Sequence, residues 1–375
     1  MSLMLPSGSA TARSVVGVAD DLFSSLRGES LTLPRAESVV LVLVDGLGAI
    51  NLRAHAGHAR TLTGSMAKKD VARSVFPSTT AAALTSILTG VWPGEHGLVG
   101  YRVLDPTRDV LVNQLTGWES EGVDPESWQA SPTIFERASA ASRESFAIGV
   151  AAYANSGFTR ATLRGAQFVA AATPAERVAA AYELAARHPG SFVYCYLPEA
   201  DKAGHKHGVA SGEWVSALED IDAALSVRVP PGVGVLVTSD HGMVDVPPHR
   251  QVVLDDTGGR YAGVRHIGGE PRMLHVYLES DADAAGVLAR WRSELEGTAD
   301  VVSKADAMAA GLFGPSVTDA AAARIGDLMV IARGVWAVYD GTAADQRGRT
   351  MVGQHGALTP EEQNVPLIRL GTFAR

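Results

Sequence analysis

Three near-continuous apolar runs, separated by amphipathic stretches, are the feature of this chain that most restricts its fold. The runs are Ser38–Val44 and residues 191–197 and 234–238. A strand of a parallel sheet is covered on both faces, so its sequence reads as an unbroken apolar run. The amphipathic patterns of Pro174–Arg187 and Gly212–Leu225 lie between these runs and predict helices. We therefore predict an α/β fold with a mostly parallel central sheet and helices on both of its faces.

Residues 258–321 have a different pattern from the rest of the chain. They contain a strand pattern at Met273–Leu278, a helix pattern at 282–295, a strand pattern at 298–303 and a helix pattern at 305–310. Strand-like runs then return at 327–332 and 335–339. The predicted organisation is a core formed by residues 1–257 and 322–375, with residues 258–321 inserted as a small α+β cap.

Composition restricts the possible partners of the chain. Its 375 residues include 32 basic and 41 acidic side chains, and the basic ones form no run, which argues against a nucleic-acid polymer as partner. The single cysteine, Cys195, excludes a disulfide framework and a thiolate zinc cluster. Residues 1–20 lack the pattern of a signal peptide, and no apolar segment is long enough to span a bilayer. A cytoplasmic protein without a membrane partner is expected, and a homo-oligomer is left open.

Carboxylates and imidazoles follow the apolar runs. They are Asp45 after the first run, Asp201 and His205 after the second, Asp240 and His241 after the third, and His355 in a later glycine-containing loop. In parallel sheets, ligands bind beyond the carboxyl ends of the strands, so these side chains are expected to meet at one edge. The spacing of Asp201 and His205 also places both on one face of a helical turn.

The donor types predict a divalent metal site. Three carboxylates and three imidazoles without a thiolate suit zinc, with manganese or iron as alternatives. Two such ions about 4 Å apart can hold the attacking and leaving oxygens of a phosphoryl transfer. Taken singly, each residue also has an ordinary interpretation, such as a turn aspartate at Asp45 or a loop histidine at His355. The pair Asp240–His241 is the hardest to explain this way, because buried polar neighbours at a strand end need compensation.

A hydroxyl-rich turn supplies a candidate nucleophile. Ser78, Thr79 and Thr80 precede an Ala- and Leu-rich helical pattern that ends at Gly90. A hydroxyl at a helix N-terminus faces unsatisfied backbone N–H groups and the positive end of the helix dipole, which favours an alkoxide or a phosphate oxygen. The ordinary alternative is that one of these hydroxyls only caps the helix.

These residues resemble the type I phosphodiesterase/nucleotide pyrophosphatase family of the alkaline phosphatase superfamily. In that family a threonine nucleophile opens a helix that closes with Thr-Gly nine residues later. Here the closing pair is Thr89-Gly90, which selects Thr80 as the nucleophile. The turn at residues 93–97, Pro-Gly-Glu-His-Gly, is similar to the family's Pro-x-x-His-Gly turn. The resemblance spans roughly residues 39–356 and implies an alkaline-phosphatase-like core.

The resemblance also implies how the site is divided between two metal ions and what it does. One ion would be bound by Asp201, His205 and His355, and the second by Asp45, Asp240 and His241, with Thr80 beside it. The implied activity is hydrolysis of a small-molecule phosphate ester or nucleotide, most simply a phosphodiester, through a phosphothreonine. A phosphomonoesterase, a phosphonate hydrolase and a metal-binding protein without catalysis are the alternatives.

Two departures from the family bear on the substrate. The nucleotide-selective members have Phe-Pro-Asn after the nucleophile, whereas this chain has three alanines, residues 81–83. They also have a phosphate-binding Asn at a position that corresponds here to Tyr101. Tyr101, Arg102 and Arg272 are the candidate substrate contacts, although the ordinary interpretation of each arginine is a structural surface residue.

Overall fold

The computed structural model describes residues 13–374. Residues 1–12, which belong to the predicted core and to the segment without a signal-peptide pattern, lie outside this range, as does residue 375. The strands are β1 (Ser38–Val44), β2 (Val71–Arg73), β3 (Arg102–Asp105), β4 (Val110–Asn113), β5 (Ser145–Gly149), β6 (Gln167–Ala170), β7 (Phe192–Leu197), β8 (Val233–Thr238), β9 (Val244–Asp245), β10 (Gln251–Leu254), β11 (Val264–Glu270), β12 (Met273–Leu278), β13 (Ala299–Ser303), β14 (Leu328–Ala332), β15 (Ala337–Asp340), β16 (Gly353–Gln354) and β17 (Asn364–Gly371).

The α-helices of the described part of the chain are interspersed with these strands. They are α1 (Val18–Ser25), α2 (Ala49–Ala54), α3 (Arg60–Gly64), α4 (Thr80–Thr89), α5 (Pro93–His96), α6 (Pro125–Trp128), α7 (Ile134–Ala140), α8 (Gly157–Thr162), α9 (Pro174–Arg187), α10 (Glu199–His207), α11 (Gly212–Leu225), α12 (Ala284–Glu294), α13 (Lys304–Ala309), α14 (Asp319–Arg324) and α15 (Pro360–Gln363). None of the helices within residues 13–374 is both long and apolar enough to cross a bilayer.

A seven-stranded sheet with the order β2-β17-β8-β1-β7-β5-β6 forms the centre of the molecule. The five strands from β8 to β6 are parallel, whereas β17 runs antiparallel to β8 and to β2. The three apolar runs are the adjacent strands β7, β1 and β8 at the middle of this sheet. The structure thus confirms the predicted α/β class with a mostly parallel central sheet.

Strand β1 is apolar throughout because both of its faces are covered. All seven of its residues are buried. Val40 and Val42 pack into the cluster that includes side chains of α9 and α11, whereas Leu41 and Leu43 pack into the cluster that includes side chains of α1 and α4. Successive side chains of a strand point to opposite faces, so a strand between two helical layers needs apolar residues at every position.

The topology brings the polar residues to one edge of the sheet. Because β8, β1 and β7 are adjacent and parallel, the segments that leave their carboxyl ends start next to one another. Those segments begin at Asp45 after β1, at α10 after β7, and at Ser239 after β8. The short pair β16/β9 then returns the chain after Gln354 to the segment that follows β8.

A second, antiparallel sheet with the order β11-β12-β14-β13 lies outside the central one. Helix α12 packs on it, with Trp291 fully buried in their shared core. This sheet extends from Val264 to Ala332, so its strand β14 lies beyond residue 321, the boundary expected for the inserted cap. The division of the chain into a core and a cap stays a prediction.

A buried ion pair links this second sheet to the C-terminal part of the central one. Arg272, in the turn between β11 and β12, is fully buried and forms two hydrogen bonds with Glu362, Nε to Oε1 at 3.0 Å and Nη2 to Oε2 at 2.7 Å. Its Nη1 donates to the carbonyl of Trp336. The positive charge of Arg272 is the largest of the influences that lower the pKa of Glu362 against the opposing effect of burial. Each partner therefore compensates the buried charge of the other.

Replacing Arg272 with methionine is expected to lower the free energy of unfolding by about 3–5 kcal/mol, because it leaves the Glu362 carboxylate buried without its partner. Urea unfolding measures this change. The matched control is Arg333→Met, since Arg333 pairs with Asp300 in an exposed position, where such a pair contributes about 0–1 kcal/mol. Similar small losses in both variants would show that Arg272 does not hold the two sheets together.

Candidate metal centre and nucleophile

The structure brings the six predicted ligands together at the carboxyl edge of the central sheet. Asp45, Asp240 and His241 lie directly after β1 and β8 and are almost completely buried. Asp201 and His205 occupy the same face of α10, and His355 follows β16. Thus two strand exits, one helix and one returning loop each contribute to a single cluster.

The three histidines present the same nitrogen to this cluster. In each of them Nδ1 is hydrogen-bonded to a backbone carbonyl oxygen, which can only accept, so Nδ1 carries the hydrogen. The bonds are His205 to Gly353 at 2.8 Å, His355 to Ser78 at 2.8 Å and His241 to Gly242 at 3.1 Å. The Nε2 lone pairs are therefore free to bind a cation, and the carbonyls fix the orientation of the rings.

One group of donors consists of Asp201, His205 and His355. The Nε2 atoms of the two histidines are 3.1 Å apart, and Asp201 Oδ1 lies 3.4 Å from the first and 3.9 Å from the second. All three donor atoms lie within 4.8 Å of one another. Two imidazole lone pairs and a carboxylate oxygen at these separations can surround one ion.

The second group surrounds His241. Its Nε2 lies 3.4 Å from Asp45 Oδ1, 3.4 Å from Asp240 Oδ2 and 3.1 Å from the hydroxyl of Thr80. Donor atoms of Asp45, Asp201 and His241 also lie within 4.8 Å of one another, so Asp201 is close to both groups. The two groups of donors are therefore adjacent, and the hydroxyl of Thr80 lies beside the second.

The electrostatics of the cluster fit the binding of divalent cations. Asp45 Oδ1, Asp201 Oδ1 and Asp240 Oδ2 are buried and have no hydrogen-bond partner among the described residues. Burial, followed by the charges of Asp240 and Asp201, raises the pKa of Asp45 well above its usual value. Burial is also the main cause that raises the pKa of Asp240. Burial and the neighbouring histidines lower the pKa of His355 well below its usual range, which keeps it a neutral ligand. Cations would compensate the carboxylates and use the free lone pairs.

The turn before α4 leaves the hydroxyl of Thr80 available. Thr79 is the N-cap residue, with an extended backbone, and its side chain makes no capping hydrogen bond. Ser78 donates instead to the carbonyl of Ala357, at 2.8 Å. Thr80 is the first residue of α4, and its hydroxyl faces His241 rather than a backbone N–H. The simple N-cap interpretation therefore does not account for Thr80.

Three side chains of the site were not predicted. The Tyr196 hydroxyl donates to Asp45, and Ser239 accepts a hydrogen bond from the backbone N–H of Leu47 while it donates to the carbonyl of His241. Glu270 is buried at the end of β11. The position of Ser239 directly before Asp240 could have predicted its place in the site. The sequence around Tyr196 indicates only a strand residue, and that around Glu270 only an ordinary glutamate of a hairpin.

Two cavities meet at Thr80. The first, of about 550 Å³, is lined by Thr80 together with Asp201, His205 and His355, and it includes the predicted contacts Tyr101 and Arg102. The second, of about 340 Å³, is also lined by Thr80 but otherwise mainly by apolar and aromatic side chains: Leu84, Leu88, Ile148, Tyr153, Phe158 and Phe168.

Arg272, the third predicted substrate contact, is not brought to either cavity. Its guanidinium is fully buried and is occupied by Glu362 and by the carbonyl of Trp336. His96, in the Pro-x-x-His-Gly turn, is likewise away from the cluster. It is hydrogen-bonded to the hydroxyl of Ser86, and burial lowers its pKa to about 3. Both residues position elements around the site rather than facing it.

Replacing Asp240 with asparagine is expected to stabilise the metal-free protein at neutral pH by at least about 1 kcal/mol, because it removes one of two repelling buried carboxylates. In the metal-free wild type, the raised pKa values mean that the native state binds more protons than the unfolded state, so stability falls as pH rises above the ordinary aspartate pKa. Thermal unfolding across pH, with and without Zn²⁺, measures both effects.

The same experiment has a control of opposite sign. Asp222 is buried but accepts hydrogen bonds from the backbone N–H groups of Thr61 and Leu62, at 3.1 and 2.8 Å. Asp222→Asn should destabilise the metal-free protein and keep the response to Zn²⁺, whereas Asp240→Asn should lose most of that response. Destabilisation of the metal-free protein by Asp240→Asn would contradict the electrostatic account.

Several known proteins are similar to this chain in sequence. Residues 39–358 match the family described as type I phosphodiesterase / nucleotide pyrophosphatase. A venom phosphodiesterase of Macrovipera lebetinus is 24% identical over 224 residues, which is 56% of this chain and 25% of that protein. An uncharacterised pyrophosphatase/phosphodiesterase of Schizosaccharomyces pombe is 25% identical over 48% of this chain and 39% of that protein. The chain therefore matches well under half the length of these relatives.

Solved structures share the fold over nearly the whole chain. Murine ectonucleotide pyrophosphatase / phosphodiesterase 5 superimposes with a TM-score of 0.69 at 18% identity, covering 89% of this chain and 88% of that one. Phosphonoacetate hydrolase from Sinorhizobium meliloti, in complex with phosphonoformate, gives a TM-score of 0.66 at 20% identity, covering 91% of this chain and 94% of that one. Since the family match extends over most of the sequence, the chain belongs to the type I phosphodiesterase / nucleotide pyrophosphatase family.

Proposed function

We propose that this chain is a metal-dependent hydrolase of phosphodiesters that acts through a phosphothreonine on Thr80. The observation that carries the proposal is the position of the Thr80 hydroxyl, beside the carboxylate–histidine cluster and at the junction of two cavities. A phosphodiester has two organic substituents, and a site with two cavities on either side of the nucleophile has room for both. The family and the named activity of the venom relative support the same class of reaction.

The ligand sets proposed for the two cations follow the geometry of the cluster. Asp201, His205 and His355 would hold one, and Asp45, Asp240 and His241 the other, with Thr80 adjacent. Zinc suits these nitrogen and oxygen donors, and manganese or iron are the alternatives. When bound, such ions act as Lewis acids that favour ionised oxygens near phosphorus.

The protein residues divide the reaction into two displacements. The Thr80 oxygen forms a bond to phosphorus while the bond from phosphorus to the leaving oxygen breaks, and water then displaces Thr80 from phosphorus. The dipole of α4, at whose first turn Thr80 lies, stabilises negative charge on the phosphoryl oxygens. Tyr101 and Arg102 line the cavity on the cluster side and are proposed to donate to the same oxygens.

The two cavities are proposed to hold different parts of the substrate. The polar cavity contains the ligands of the first ion, so it would take the leaving group, while the apolar cavity would take the substituent that remains on phosphorus. A structure of the murine neighbour contains AMP, and the S. meliloti neighbour was solved with phosphonoformate and phosphonoacetate. Ala81, directly after the nucleophile, is fully buried and offers no aromatic ring, so the retained group here would contact Tyr153 and Phe168 instead.

Thr80→Ala is expected to lower kcat/KM for bis-p-nitrophenyl phosphate by at least ~10³-fold, because within residues 13–374 no other hydroxyl is hydrogen-bonded to His241 Nε2. Release of p-nitrophenolate with added Zn²⁺ or Mn²⁺ measures the change, and p-nitrophenyl phosphate tests the preference for diesters. The control is Thr85→Val on the same helix, whose hydroxyl only bonds the carbonyl of Ala81 and whose loss should leave activity intact. Preference for the monoester would make the protein a phosphomonoesterase, and turnover of phosphonoacetate alone would make it a phosphonate hydrolase.

Ala152→Trp is expected to narrow the apolar cavity, because Ala152 is an exposed residue at its wall. The ratio of kcat/KM for bis-p-nitrophenyl phosphate to that for methyl p-nitrophenyl phosphate should fall about tenfold, since both substrates share a leaving group and differ in the retained one. Ala151→Trp, next to it and outside the cavity wall, should leave the ratio unchanged. An equal ratio in both variants would mean that the retained group binds elsewhere.

A further inference from the structure

A buried carboxyl group that belongs to neither ligand set lines the polar cavity. Glu270, the last residue of β11, is 8% exposed, and its Oε1 has no hydrogen-bond partner among residues 13–374. The hydroxyl of Thr79 hydrogen-bonds to the same carboxyl group. Two residues further on, Arg272 fixes the hairpin to Glu362, so Glu270 is presented on a rigid turn.

The carboxyl group of Glu270 packs against Gly356, the residue after His355. A Cβ atom at Gly356 would lie 2.7 Å from Glu270 Oε1, so the glycine is what leaves space for the carboxyl group. Gly356 follows His355, one of the residues proposed to hold the first ion. Glu270 lines the same cavity as Asp201, His205 and His355 and is not part of the apolar cavity wall.

The geometry of phosphoryl transfer indicates which reacting oxygen Glu270 would contact. The attacking and leaving oxygens lie roughly in line on opposite sides of phosphorus. The proposed place for the leaving oxygen is the polar cavity, which His205 and His355 line together with Thr80. Glu270 lines the same cavity, and its Oε1 has no hydrogen-bond partner among the described residues.

We propose that Glu270 is a catalytic proton-transfer residue of this site. In the first step the ionised Thr80 oxygen, whose proton has already passed to solvent, bonds to phosphorus, the bond to the leaving oxygen breaks, and the Glu270 proton passes to that oxygen. In the second step a water oxygen bonds to phosphorus from the same side, the bond to Thr80 breaks, and the water proton returns to Glu270. This inference rests on the proposed function and adds a proton carrier to it.

In the metal-free protein, the surroundings of Glu270 favour a carboxyl group that holds a proton. Burial, and then the charge of Glu362, raise the pKa of Glu270 well above its usual value, and the hydrogen bond from Thr79 only partly opposes them. The positive charge of nearby Arg272 is already engaged by Glu362 through two hydrogen bonds. No basic side chain is paired with Glu270 among the described residues.

The test compares two diesters that share a retained methyl group, methyl p-nitrophenyl phosphate and methyl phenyl phosphate. Phenolate is the poorer leaving group and needs the proton more. Glu270→Gln, which keeps the shape and the acceptor for Thr79, should lower kcat/KM for methyl phenyl phosphate by ~10²-fold and leave that for methyl p-nitrophenyl phosphate nearly unchanged. The substitution should also slow the attack of water on the phosphothreonine. Because this attack follows the first irreversible step, its slowing should lower kcat for both substrates rather than kcat/KM. A burst of p-nitrophenolate and accumulation of phosphothreonine, detectable by intact mass, should accompany the lower kcat.

The control variant is Thr79→Val, which removes the hydrogen bond to Glu270 and keeps its proton. It should change kcat/KM for both diesters by the same factor. Equal losses in Glu270→Gln for both leaving groups, without a burst, would overturn the inference and leave Glu270 a structural residue. Absence of turnover of every aryl ester by the metal-loaded wild type would instead overturn the proposed function itself, and the inference with it.

Discussion

The repulsion among three carboxylates, two of them buried and the third with one buried oxygen, is the constraint around which this molecule is arranged. Asp45 and Asp240 leave adjacent strands, Asp201 faces them from α10, and each has an oxygen without a hydrogen bond among the described residues. A protein keeps such groups together only where something else compensates the charge. The surrounding structure is consistent with cations in that role: the Nε2 lone pairs of three histidines point inward, and their Nδ1 atoms are fixed by backbone carbonyls.

The parallel sheet is what allows this concentration of charge. Strands β7, β1 and β8 are covered on both faces and have little freedom to shift, so the residues at their carboxyl ends have fixed positions. The rest of the site comes from elements that return to the same edge. The β16/β9 pair brings His355 back, and the Arg272–Glu362 ion pair holds the β11/β12 hairpin, and with it Glu270, against the loop that follows His355.

Local sequence patterns were sufficient to predict several of the strands and helices. The strands Ser38–Val44 and Met273–Leu278 and the helices Pro174–Arg187 and Gly212–Leu225 have the bounds that periodicity and turn signals gave them. Strand β17 was not predicted, although it occupies the second position in the central sheet, because an antiparallel strand with a proline in it lacks the pattern of its parallel neighbours. The second sheet extends past residue 321 for a similar reason: β14 pairs with β12 and β13, and pairing between distant strands leaves no local signal.

The sequence by itself determined the fold class, the family and the chemical types available at the site. These properties follow from local patterns: apolar runs, the residues that end them, and the spacing from Thr80 to Thr89-Gly90. Only the tertiary structure decided which side chains share the site. In the folded protein Arg272 is buried in an ion pair away from the cavities, Thr80 faces His241, and Glu270 lies beside the glycine after His355. These side-chain positions depend on contacts between residues that are far apart in the chain. Burial and charge compensation, rather than local propensity, determine them.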